Sequence, residues 1–200
     1  MIAEPFFKED FQTNRTMRND LQDSLERSHL EPSSLSTFQR ILLTTDGTVT
    51  HILEAYLYEQ IQVVKISEQL ITLTQDIPAM NLVAGTEVIA RKIFLRGRIS
   101  RRNFIYAESI LVPDRLDEKF RHELLHTKTP IGKIWFENRV ETFKEIINSG
   151  KESMNNYAEY FSETEAATNF LFRTYCVYSN GTPTMMITEK FPETYFCQDF

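Results

Sequence analysis

The chain has 200 residues, 42% hydrophobic and 25% charged, the balance of one soluble globular domain with enough length for a sizeable core. Its net charge of −6 and pI near 5.3 weigh against a nucleic-acid binder and against attraction to anionic membrane surfaces. Cys176 and Cys197 make no disulfide framework, no apolar run approaches a membrane span, and the acidic opening MIAEPFFKEDF lacks the basic start of a signal peptide, so a cytoplasmic chain with reduced thiols is expected.

Residues 1–36 are polar and read as an N-terminal helical arm or extension that runs into a loop, leaving 37–200 as the folded domain. In TTDGTVTHILEAYLYEQ, Val49, Ile52, Leu53, Tyr56 and Leu57 follow helical spacing, with Asp46 or Thr48 available as the cap. QVVKISEQLI reads as a strand. EVIARKIFLRGRISRRNFIYAESILVP reads as a hairpin whose turn carries four arginines, a solvated turn on an acidic chain. A short helix, DRLDEKFRHELLH, is expected after Pro113. A longer one should open at TPIG, with Thr129 as N-cap and Pro130 in the first helical position, and with Phe136, Val140, Phe143 and Ile147 on one face. NSGKESMNNYAEYFSETEAAT is a polar excursion, helix or loop. The chain closes with NFLFRTYCVY, the turn SNGTP and TMMITEKF, a second hairpin. Hairpins mixed with helices predict an α+β fold on an antiparallel sheet.

HELLH at residues 122–126 fits the H-E-x-x-H pattern, in which two histidines on one helix face share a zinc ion and the glutamate works on its water. Its context opposes that reading. TKTP follows at once, so the helix has little room after His126, and Thr129 stands where an extended zinc motif has glycine. Glu145 stays open as a third ligand by counting alone. The simpler expectation packs Leu124 and Leu125 inward and turns His122, Glu123 and His126 to solvent, with no metal bound. Trp135 and the other aromatic residues read as core, and Cys176 as a buried thiol.

Two charges fall on apolar strand faces. Arg91 alternates with Ile89, Ile93 and Leu95, and Glu189 with Met185, Ile187 and Phe191. An unpaired buried charge costs several kcal/mol, so each needs a partner. Either they pair with each other, or they face a closed apolar cavity in which Arg91 awaits an anion and Glu189 meets its hydroxyl or moves a proton. The helix starts at DGTVT and TPIG offer backbone amides that suit the same anion.

TTDGTVTHILEAY, VIARKIFL, AESILVP, TPIGKIWF and NGTPTMMITEKFP occur in the order expected of chorismate lyase, and the chain resembles that family from Gln39 to Pro192. The resemblance implies an antiparallel sheet with helices covering an internal ligand pocket, and neither metal nor organic cofactor. It implies conversion of chorismate to 4-hydroxybenzoate and pyruvate, with quinone biosynthesis one use of the product and the pathway left open. By matched motif Arg91 would bind the product carboxylate and Glu189 would face the phenolic hydroxyl, while Val49 and Ile131 would offer backbone amides. The expected partner is the small-molecule substrate alone, on a monomer or small homo-oligomer. The alternative from another class is a non-catalytic binding domain for an aromatic carboxylate, as in regulator effector domains; those normally follow a winged helix, for which residues 1–36 are too short.

Overall fold

The computed structural model describes Leu25 and residues 30–127, 129–161 and 169–197; the arm expected over residues 1–36 lies for the most part outside them. In chain order the elements are α1 (Thr37–Thr44), α2 (Val49–Leu57), β1 (Ile61–Thr72), β2 (Glu87–Gly97), β3 (Asn103–Leu111), α3 (Glu118–His126), α4 (Ile131–Asn138), β4 (Phe143–Ser153), β5 (Asn169–Ser179) and β6 (Thr182–Pro192). The six strands form one sheet in the order β1-β2-β3-β6-β5-β4, with every neighbouring pair antiparallel. This is the expected α+β class. Among the described residues no helix is long and apolar enough to cross a membrane.

Alternation makes the sheet two-sided. Ile89, Leu111, Tyr175, Val177, Met185 and Ile187 point to the face that α3 and α4 cover through Phe120, Leu124, Ile134 and Trp135. Towards the other end α1 and α2 bring Leu42, Leu43, Val49 and Leu53 against Val63, Leu95 and Ile105. The second hairpin turns at Asn180 and Gly181, both with positive φ (50° and 74°), the backbone a tight two-residue hairpin requires.

Three sequence expectations need correction. Helix α1 was not foreseen, although Ser36 and Gln39 form a reciprocal capping box at its start. Helix α4 begins one residue later than expected, with Pro130 as N-cap and Ile131 as its first residue, so Thr129 does not cap it. It also ends at Asn138, where Arg139 takes a left-handed conformation, and Phe143–Ser153 is a strand. Phe143 and Ile147 stand four apart and imitate a helix face, yet they are 66% and 40% exposed. Pairing with β5 from Phe143 to Ser153 satisfies that backbone instead. Of the polar excursion, the first part completes β4 and Asn155–Tyr160 forms a 3-10 turn; residues 162–168 lie outside the described residues.

Candidate active site

The register of the sheet lays out the site. One row of helix-facing residues runs Glu68, Arg91, Ser109, Ile187 and Tyr175 across β1, β2, β3, β6 and β5. The next row runs Lys65, Ile93, Ala107, Glu189 and Arg173. Both rows carry a small side chain on β3. Ala107 and Ser109 therefore leave a depression in the floor, and a cavity of about 50 Å³ lies over it. Val63, Ile93, Leu95, Ile187 and Tyr175 complete the floor; Thr48, Val49 and Thr50 at the start of α2 and Pro130, Ile131 and Gly132 at the start of α4 form the roof.

Glu189 stands in this wall, 8% exposed, with both carboxylate oxygens engaged. Arg173 donates through Nε to Oε2 at 3.0 Å and brings Nη2 to 3.0 Å from the same oxygen, while the Tyr175 hydroxyl donates to Oε1 at 3.1 Å. Burial and the adjacent Glu189 push the Tyr175 hydroxyl well above the ordinary tyrosine range, which keeps it a donor. Arg173 also donates through Nη1 to the carbonyl of Thr45, just ahead of α2.

Arg91 is 1% exposed and lies beside the cavity, across the ladder from Ser109, without being among its walls. Its Nε is 3.2 Å from Glu68 Oε2, and Glu68 Oε1 accepts from Lys65 Nζ at 3.0 Å. Nη1 and Nη2 meet no hydrogen-bond acceptor among the described residues. Burial lowers the guanidinium pKa and Glu68 opposes that shift. Arg91 and Glu189 do not pair with each other. Two strand steps separate β2 from β6, roughly 10 Å across the sheet, with β3 in between. The partner of Arg91 comes from a bulge: β1 carries an extra residue between Lys65 and Ser67, which brings Lys65 and Glu68 to the same face.

Val49 and Ile131 begin α2 and α4, and no side chain caps either helix, so first-turn amides are left at the roof of the cavity. The two starts touch closely: a Cβ added at Gly132 would lie 2.1 Å from Thr48 Cγ2. Lys144 of β4 also lines the cavity and donates to the Gly47 carbonyl at 2.9 Å. Arg173, Tyr175 and Lys144 escaped the sequence reading. The alternation that exposed Arg91 places Arg173 between Leu171 and Tyr175 in NFLFRTYCVY, so a signal existed for it; Lys144 was hidden by the helical spacing of its neighbours.

HELLH forms the end of α3. Leu124 is fully buried and Leu125 half-buried, and the exposed His122 and His126 rings stack at 4.4 Å, with His126 Nδ1 2.9 Å from the His122 carbonyl. Glu123 accepts from Asn138 Nδ2 at 2.9 Å, tying α3 to α4. Among the described residues no three His, Cys, Asp or Glu side chains converge as a metal site.

Residues 43–197 match the family described as chorismate pyruvate-lyase Rv2949c-like. A chorismate pyruvate-lyase of Mycobacterium leprae is 29% identical over 184 residues, covering 92% of this chain and 83% of its own length. One of Mycobacterium tuberculosis is 27% identical over 172 residues, covering 84% of this chain and 86% of its own. Among solved structures, the effector domain of PhnF from Mycobacterium smegmatis superposes with a TM-score of 0.56 at 11% identity, over 75% of this chain and 91% of that domain, a likeness of fold.

Proposed function

Because the chain belongs to the Rv2949c-like chorismate pyruvate-lyase family, we propose that it converts chorismate to 4-hydroxybenzoate and pyruvate over the β3 floor. The observation that carries this reading is the Arg91 guanidinium, buried with Nη1 and Nη2 unpartnered on the same sheet face as the Glu189 carboxylate. A planar ring with a carboxylate at one end and a hydroxyl at the other suits that pair. Arg91 takes the ring carboxylate, assisted by the amides at Val49 and Ile131. Glu189, fixed by Arg173 and Tyr175, accepts a hydrogen bond from the ring hydroxyl.

The reaction asks little covalent work of the protein. The bond from the ring to the enolpyruvyl oxygen breaks and its electron pair leaves on that oxygen. The neighbouring ring carbon gives the electrons of its C–H bond to the ring, which becomes aromatic. The proton ends on the methylene carbon of the departing group, and pyruvate results. Aromatisation drives the step, so orientation, exclusion of water and stabilisation of the departing oxygen are the protein's share. The cavity of about 50 Å³ is far below the roughly 150 Å³ that holds a benzene ring, so entry requires the starts of α2 and α4 to part.

The test is incubation with chorismate, with pyruvate read by a coupled dehydrogenase and the aromatic product by chromatography. Equimolar pyruvate and 4-hydroxybenzoate are expected. Saturable binding of 4-hydroxybenzoate without any pyruvate would refute catalysis and favour a binding domain. 3-Hydroxybenzoate as product would refute the assigned orientation.

A further inference from the structure

The helix starts over the cavity have an outer side. There Asp46, Gly47, His51, Phe136 and Arg139 border an open cleft of about 630 Å³. Lys144 lines both spaces, the inner cavity and the outer cleft. Its ammonium carries three N–H donors. Among the described residues the one oxygen acceptor it meets is the Gly47 carbonyl; the Trp135 and Tyr175 rings are centred 5.4 and 5.8 Å away, and Glu189, Arg173 and Asp46 act on it electrostatically from further off. No carboxylate lies within ion-pair distance of it among the described residues, whereas Lys65 and Arg91 share Glu68 and Arg173 holds Glu189.

Charge counting then gives the site two positive centres. The Lys65–Glu68–Arg91 group carries one net positive charge, the Arg173–Glu189 pair none, and Lys144 a second. Chorismate has two carboxylates, one on the ring and one on the enolpyruvyl group. With the ring carboxylate at Arg91 and the ring hydroxyl at Glu189, the enolpyruvyl ether is attached at the carbon next to the hydroxyl. It therefore starts beside Glu189. Across the ladder Glu189 faces Arg173, whose strand next presents Tyr175 and then Val177, the partner of Lys144.

We propose that Lys144 binds the enolpyruvyl carboxylate of the substrate and, once the ether bond has broken, holds pyruvate at the passage to the outer cleft. The inference rests on the chorismate reading above. It assigns Arg91 to the half that stays and Lys144 to the half that leaves. Desolvation lowers the Lys144 pKa and the nearby Arg173 adds to that shift, while Glu189 and Asp46 oppose it. Binding would exchange the Gly47 contact for the ligand carboxylate and release the loop ahead of α2.

The experiment compares two ligands that differ by the leaving group. 4-Hydroxybenzoate lacks the second carboxylate and chorismate has it. Lys144→Met is expected to lower kcat/KM for chorismate by at least about 30-fold, to leave the Kd of 4-hydroxybenzoate within twofold of wild type, and to abolish product inhibition by pyruvate. Lys144→Arg should recover most of the chorismate turnover. If Lys144→Met keeps kcat/KM within threefold, or weakens 4-hydroxybenzoate as much as chorismate, the assignment is overturned and Lys144 is a structural tie to Gly47. Should Lys144→Met fail to fold, Lys144→Gln is read in the same assays. Wild-type protein that releases no pyruvate would overturn the chorismate reading itself, and this inference with it.

Discussion

Replacing Arg91 by methionine separates a binding arginine from a structural one, and the geometry fixes what each role predicts. Breaking a buried ion pair by removing one partner typically costs about 3–5 kcal/mol, because a charge is stranded. Here the stranded group would be Glu68, which keeps Lys65 at 3.0 Å and has a side chain 20% exposed. On the other side of the balance, Arg91 holds Nη1 and Nη2 away from water and from any acceptor among the described residues, and an unsatisfied buried donor costs about 1–3 kcal/mol. These contributions oppose, so Arg91→Met should change ligand-free stability by no more than about 1 kcal/mol. For a chain of this size that is within about 4 °C in Tm. In the wild type, 4-hydroxybenzoate at a hundred times its Kd should add about 2.7 kcal/mol, or about 5–10 °C. The variant should show no such rise at the same concentration. Arg91→Lys should recover only part of it, since an ammonium lacks the planar fork. Differential scanning fluorimetry with and without ligand reads both quantities. A ligand-free fall of about 6–20 °C, the equivalent of 3–5 kcal/mol, would make Arg91 structural and refute the reasoning; so would an undiminished ligand response.

Glu189 behaves differently, because Arg173 is 1% exposed and depends on it: Glu189→Ala should cost about 3–5 kcal/mol of stability, measurable by urea titration, in addition to activity. Glu189→Gln keeps oxygen and shape, and retention of most of the turnover by that variant would assign Glu189 to orientation over proton transfer. Gly132→Ala would drive a methyl into Thr48 Cγ2, so a loss of about 1–3 kcal/mol is expected in thermal melts, with recovery when Thr48→Ser removes the opposing methyl; failure of the double variant to recover would place the strain elsewhere. Burial pushes the Cys176 thiol up to about 11, so at pH 8 a thiol reagent should label exposed Cys197 at once and Cys176 only in denaturant. The same shift gives a sign for stability: the folded state holds the Cys176 proton more tightly, so its contribution is complete below pH 9 and is lost as pH rises through 11, a fall in Tm that Cys176→Ala should flatten.

What the sequence disclosed and what it hid divide along physical lines. Arg91 and Glu189 were legible because a strand's period of two makes a lone charge among Ile, Leu and Phe conspicuous within one segment. The Asn180–Gly181 turn was legible because only a few residue types accept positive φ cheaply. The partners were another matter. Glu68 reaches Arg91 through a bulge in β1, and an extra residue inverts the alternation on which such a reading depends. Arg173 meets Glu189 through the register of β5 on β6, which no local pattern states. Lys144 was lost because Phe143 and Ile147, four apart, copied a helix on an edge strand where exposure relaxes the demand for alternation. The cavity itself comes from two small residues, Ala107 and Ser109, which are unremarkable until strands on both sides bring larger neighbours around them.

The position of β3 between the two anchors has a consequence for how such a site can change. Arg91 hangs from β2 and Glu189 from β6, and hydrogen-bonded strands repeat at about 4.8 Å. The distance between the proposed carboxylate-reading point and the proposed hydroxyl-reading point is thus set in its main part by whole strands, and a substitution at either anchor alters only the reach of one side chain. The backbone works as a ruler with coarse divisions. A ring of another size or substitution would meet the floor at Ala107 and Ser109, where each added methylene removes space and only glycine would add it. Selection for a new ligand would act first on those two floor positions, with both anchors left in place.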